Sequence, residues 1–175
     1  MWHQVAGRPA GRPADYAVRQ EEGVGQVVEN KKAGLKVKVP EGWTVEKIAV
    51  EQGSMIFYSP DAEGVRAGKP RPPLKQGCVI EVAVAYKETS LDDLRKEIEI
   101  AHKNLAMTSD SFQATEVDSF PALRNLNNCK ELGPAVAMYI LVGKRLIGAS
   151  IFATTTDTEK CFQEFDKFLE TVSIE

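Results

Sequence analysis

The sequence predicts an α+β domain in which an antiparallel β-sheet is sandwiched between α-helices. Three observations carry this expectation. Residues 135–142, AVAMYILV, and 146–153, LIGASIFA, are apolar almost without alternation, and Gly143 opens the short turn between them. Strands of that kind are covered on both faces, and so short a turn joins them as an antiparallel hairpin. Two segments of helical spacing, near 90–105 and 157–172, each carry one apolar stripe and supply the covers. The chain has 175 residues, 43% hydrophobic and 27% charged, which suits one domain with a self-sufficient core.

The elements follow in chain order. Residues 6–15, AGRPAGRPAD, repeat Gly-Arg-Pro-Ala and lack apolar periodicity. Residues 1–22 are therefore expected to form a flexible tail, with the domain at 23–175. Residues 25–30 and 35–39 read as strands joined by Lys31-Lys32-Ala33-Gly34. Leu35, Val37 and Val39 face one side, Lys36 and Lys38 the other. Pro40 cannot donate to a ladder and ends the pairing. Gly42 permits a turn, and Trp43 opens the next extended segment, 43–50. Residues 54–59, SMIFYS, form another strand. A loop over 60–77 holds Pro60, Pro70, Pro72 and Pro73; loops that long without structure of their own are functional or disordered.

Residues 78–86, CVIEVAVAY, return to a strand. Ile80, Val82, Val84 and Tyr86 line one face, while Val79, Ala83 and Ala85 line the other, interrupted by Glu81. Ser90 with Asp93 forms a capping-box pattern for the first helix, and Leu91, Leu94, Ile98, Ala101 and Leu105 form its stripe. Strands are expected at 112–119 and 122–128, turning around Phe120-Pro121. The closing helix, about 157–172, pairs Thr156 with Glu159 as a second capping box and buries Phe162, Phe165, Phe168, Leu169 and Val172.

Composition excludes several classes of function. A net charge of -3 and a pI near 5.6 argue against a nucleic-acid binder, which carries a basic footprint. No apolar run reaches the length of a membrane span. The chain does not open on a charged-then-apolar signal, so it reads as cytoplasmic as given, or extracytoplasmic if a leader has been removed. Cys78, Cys129 and Cys161 form no CxxC pair, which excludes a zinc knuckle and a thioredoxin-type site. They read as small buried apolar residues; one disulfide, leaving one thiol free, stays open.

Catalytic signals are missing too. The histidines are His3, in the expected tail, and His102, at the edge of the first helix's stripe. Neither has the serine or cysteine context of a triad, and their separation does not make a metal site. GVGQVV at 23–28 lacks the third glycine of a dinucleotide fingerprint and runs into strands. Asp92, Asp93, Glu97 and Glu99 read as a solvated helix face. Asp61 and Glu63 lack neighbours at metal-ligand spacing. No enzyme, cofactor or metal is expected.

Three stretches carry a resemblance: LKVKVPEGW at 35–43, MIFYSPD at 55–61 and FQEFDKFLETVSI at 162–174. Over roughly residues 25–174 the chain resembles the PsbP-like (Mog/PsbP/DcrB-like) superfamily. The resemblance implies the α/β/α sandwich and a non-enzymatic protein-binding or assembly role. Its members include photosystem accessory proteins, Ran-binding proteins, secretion-effector chaperones and envelope lipoproteins. It also implies that the 40–43 turn seats Trp43 against the sheet and a helix, where the indole covers a large area. Two uses are carried forward. In the first, Arg66, Lys69, Arg71 and Lys75 in the 60–77 loop meet an acidic protein partner. In the second, a small-molecule carrier or unrecognised enzyme has a pocket between sheet and helix lined by Trp43, Phe57 and Tyr58.

Overall fold

The structure, a computed structural model, describes residues 8–9, 15–48, 54–64, 74–105, 107–129 and 133–175. Its elements are β1 (Arg8–Pro9), β2 (Ala17–Glu21), β3 (Gly25–Asn30), β4 (Leu35–Lys38), β5 (Thr44–Ile48), β6 (Ser54–Tyr58) and β7 (Cys78–Tyr86), then α1 (Leu91–Lys103), β8 (Met107–Val117), β9 (Phe120–Cys129), β10 (Gly133–Val142), β11 (Arg145–Ala153), α2 (Thr158–Glu170) and β12 (Ser173–Ile174). The large sheet runs β5-β6-β7-β11-β10-β9-β8, with β1 on the end of β7. A second sheet runs β12-β4-β3-β2.

The central hairpin pairs from Ala135↔Phe152 to Val142↔Arg145. Both of its faces are covered, as its unalternating composition predicted. On β10, Met138, Ile140 and Val142 join the core cluster that holds Phe165 and Phe168 of α2. Ala137 and Tyr139 join the opposite cluster, with Leu94, Ile98 and Ala101 of α1. The α2 side is shared with the second sheet, since Val28, Leu35, Val37 and Ile174 lie in the same cluster. The protein thus has the two helices that the sequence predicted, and more sheet. Phe168 sits edge-on to Phe57, ring centroids 5.2 Å apart; truncating either to Ala would cost about 3–5 kcal/mol.

The first helix starts as expected: Ser90 Oγ accepts from the Asp93 amide at 3.1 Å. The second does not. Its N-cap is Asp157, whose side chain makes no cap bond. That carboxylate is drawn to another segment instead, accepting from the Gly77 amide at 3.0 Å and from Thr154 Oγ1 at 3.1 Å.

Two further expectations are corrected, and one open reading is resolved. The tail boundary at 22 is too late, because Tyr16 is buried in the core and β2 pairs along β3 from Ala17↔Glu29 to Glu21↔Gly25. AVRQE shows little apolar alternation because β2 is the outer strand of the small sheet, held by backbone pairing and by ion pairs of Arg19 with Glu29 and Lys36 with Glu21. Most of the Gly-Arg-Pro-Ala repeat lies outside the described residues. Next, the turn between β8 and β9 is Asp118-Ser119, both with positive φ (49° and 67°), not Phe120-Pro121. Pro121 is accommodated inside β9 because the β10 pairing begins only at Ala122. Finally, Cys78 and Cys161 form a disulfide with Cα atoms 5.6 Å apart.

Candidate functional site

The disulfide stands in the middle of a clamp. Cys78 opens β7 and Cys161 lies in the first turns of α2, so the bond ties the strand that ends the 60–77 loop to a helix. Around it, Ser59 Oγ accepts from the Cys78 amide at 2.8 Å and donates to Asp61 Oδ1 at 2.8 Å. Lys160 Nζ reaches Asp61 Oδ2 at 2.8 Å. The Lys160 ammonium, and after it the Ser59 hydroxyl, hold the Asp61 carboxyl below its ordinary range. Glu63 and Gln76 pair across the loop as an isolated bridge. Gly77 has a φ of +83°, and a Cβ there would stand 2.7 Å from the Ala62 backbone and from Ser59 Oγ. Only glycine lets the two ends of the loop approach this closely.

Of the four basic residues assigned to this loop, Lys75 is exposed at its base, and its amide donates to Glu63 O at 2.9 Å. Arg66, Lys69 and Arg71 lie outside the described residues.

The three aromatic candidates do not share one set of neighbours among the described residues. Trp43 is 8% exposed and packs in the core cluster with Phe57. Its amide donates to Pro40 O at 3.1 Å, closing the turn, and Gly42 supplies the positive φ of 78°. The proline-glycine-tryptophan motif at 40–43 therefore builds a seat for the indole. Phe57 spends its whole ring on the core against Phe168. Tyr58, one residue on, faces the other side of the sheet with Ile56, Val79 and Leu74, as strand alternation requires. Its hydroxyl donates to Glu46 Oε2 at 2.9 Å, and burial followed by that carboxylate pushes its pKa up. A shallow cleft of about 360 Å³ beside Trp43 is lined by neither Phe57 nor Tyr58.

Sequence reasoning missed one polar cluster. At the end of α1, His102 Nδ1 meets Asp110 Oδ2 at 3.1 Å. Asp110 Oδ1 accepts from Asn125 Nδ2, and Asn125 Oδ1 accepts from Asn127 Nδ2 at 2.8 Å. His102, Asn125 and Asn127 are all buried. The only signal in the sequence was the spacing of Asn125 and Asn127 by two, which puts both on one face of β9. A histidine beside a carboxylate is a pairing used in catalysis, but here His102 Nε2 is buried without a hydrogen-bond partner among the described residues. The cluster instead fixes α1 over the β8–β9 pair. Among the described residues no group of three or more side chains could hold a metal ion, and no helix is long and apolar enough to cross a membrane.

No protein-family model matches the sequence, and no curated protein is similar enough to count as a relative. Solved structures do match. The cyanobacterial PsbP (CyanoP) of Synechocystis sp. PCC 6803 superposes with a TM-score of 0.59 at 12% identity, over 90% of this chain and 98% of its own. LpqN of Mycobacterium tuberculosis, described as involved in cell envelope biogenesis, superposes with a TM-score of 0.56 at 13% identity, over 91% of this chain and 90% of its own. At these identities the likeness is one of fold. The resemblance to the PsbP-like superfamily read from the 40–43 turn and the closing helix holds at that level.

Proposed function

We propose that the chain is a non-enzymatic protein-binding or assembly module of the PsbP-like type, built on an α/β/α sandwich and working in an oxidising compartment of the cell envelope. The observation that carries this reading is the clamped base of the 60–77 loop. A disulfide, the Gly77–Asp157 bond and the Asp61–Lys160 pair all serve to fix where one loop leaves the sheet. A rigid scaffold that holds both ends of a loop reduces the ordering cost of a contact made through it. The loop carries Arg66, Lys69, Arg71 and Lys75 against Asp61 and Glu63. Its partner surface is acidic, and the charges speed encounter and set specificity. The disulfide supports the compartment, since such bonds persist in oxidising surroundings and are rare in the cytosol. The role described for LpqN supports it as an analogy of fold.

The test is to replace Arg66, Lys69, Arg71 and Lys75 together with Gln and compare capture of partners from the native cell, read by mass spectrometry. Proteins enriched by the wild type at about 50 mM salt should be lost both from the variant and from the wild type at about 500 mM salt. Equal capture by both proteins at both salt concentrations would overturn the assignment of the loop.

A further inference from the structure

We infer that β8 is the contact edge of a homodimer, in which β8 of one copy pairs antiparallel with β8 of a second about a two-fold axis at Phe112. β8 ends the large sheet, and among the described residues it pairs only with β9. It is 11 residues long, MTSDSFQATEV. Its outer side therefore presents a row of backbone donors and acceptors to any strand that comes alongside. Ser111, Gln113, Ala114 and Glu116 are exposed, so the edge is open to one.

Proteins guard free edges by keeping them short, or with charges, prolines and bulges. The other outer strands here follow that rule. β12 has 2 residues. β5 has 5 and carries Glu46 and Lys47. β2 has 5, with Arg19 and Glu21 in ion pairs. β8 is more than twice as long as either, contains no lysine, arginine or proline, and has its one irregularity at its start, between Met107 and Ser109. Beside it on β9, opposite Ser111, Leu126 is among the few large hydrophobic side chains left exposed among the described residues, at 44%. Ser111 is too small to shield it.

The sequence of β8 suits a second copy of itself. A two-fold axis normal to the sheet sets each residue against one on the same face. Centred on Phe112, it sets Phe112 against Phe112, Ser111 against Gln113 and Asp110 against Ala114. Ring meets ring, polar meets polar, and no like charges meet. Centred on Gln113, it would set Asp110 against Glu116; centred on Ser111, it would set Asp110 against Phe112. Phe112 is only partly buried beneath α1, with the Arg95 guanidinium 5.2 Å from its ring centroid, and its copy covers more of it. Arg95 is itself paired with Glu99 at 3.0 Å, so the two copies of α1, on one face of the joined sheet, bring no uncompensated like charge. Gln113 of the second copy extends its methylenes across Ser111 towards Leu126. β7, which ends the 60–77 loop, lies well inside the sheet from this edge, so pairing leaves that loop free.

A seam of this kind is at the low end of interface sizes, so half-association is expected on the order of 100 μM. Sedimentation equilibrium of the oxidised full-length chain up to about 1 mM reads it. Ser111→Lys with Gln113→Lys, both at exposed positions, sets lysine against lysine twice across the seam and should weaken association at least about tenfold. Ser111→Glu with Gln113→Glu should do the same, and an equimolar mixture of the two double variants should associate at least as well as wild type. Substituting Arg66, Lys69, Arg71 and Lys75 with Gln should leave association unchanged, which separates this contact from the one proposed for the loop. A wild type that stays monomeric at about 1 mM overturns the inference. It is equally overturned if the lysine variant associates as well as wild type, if the mixture fails to associate, or if the loop substitutions abolish the dimer.

Discussion

Reducing the Cys78–Cys161 disulfide should lower the melting temperature, chiefly by freeing the unfolded chain rather than by removing packing in the folded one. The bond closes a loop of 83 residues. In the chain-entropy model a loop of that length removes about 4.5 kcal/mol of freedom from the unfolded state. For a chain of this size each kcal/mol is worth roughly 2–4 °C, so the expected loss is about 9–18 °C. Both cysteines are fully buried, so reductant alone should act slowly, and the sample should be reduced in denaturant and refolded in its presence. Calorimetry of oxidised and reduced protein gives the two midpoints, and peptide mapping by mass spectrometry confirms which thiols are released. Reduction changes only the bond, whereas Cys→Ala substitutions would add a cavity contribution. A difference below about 2 °C would refute the reasoning, because it would mean that the loop is not entropically constrained by this bond.

Deleting residues 1–21 should destabilise the protein by about 3–5 kcal/mol or more, since Tyr16 leaves the core and β2 leaves the small sheet; a urea midpoint equal to that of the full chain would count against it. Gly77→Ala should cost about 1–3 kcal/mol, because the new methyl meets the Ala62 backbone at 2.7 Å and the positive φ is strained for any other residue; denaturant unfolding reads it, and an unchanged midpoint would mean that the clamp is loose. The Asp61–Lys160 pair should contribute below about 1 kcal/mol, being largely solvent-exposed. Asp61 is held below its ordinary pKa, so its contribution is present above the unfolded value and lost as pH falls through the folded one. Lys160 is held above its own, so its contribution is present below the unfolded value and lost as pH rises through the folded one. Melting temperatures of wild type and Asp61→Asn should therefore differ slightly at neutral pH and converge in acid.

By itself the sequence determined the elements whose evidence is local. Ser90 and Asp93 announce the start of α1 because a cap is made within four residues. The two-faced apolar runs of β10 and β11 reveal that they are central, because burial on both faces leaves no polar alternation. The buried seat of Trp43 was legible in its turn residues, whereas placing Phe57 and Tyr58 in one pocket overlooked the strand alternation that sends adjacent residues to opposite faces. Only the tertiary structure decided the rest. The disulfide joins residues far apart in the chain, and nothing near either one says which cysteine it will meet. Asp157 looks like one more polar residue before a helix until Gly77 arrives to take its carboxylate. Ala17–Glu21 is a strand only because β3 lies beside it, and His102 has a partner only because β8 and β9 pass beneath α1. Periodicity records which face of a segment is buried, whereas pairing depends on which distant segment folding brings alongside it.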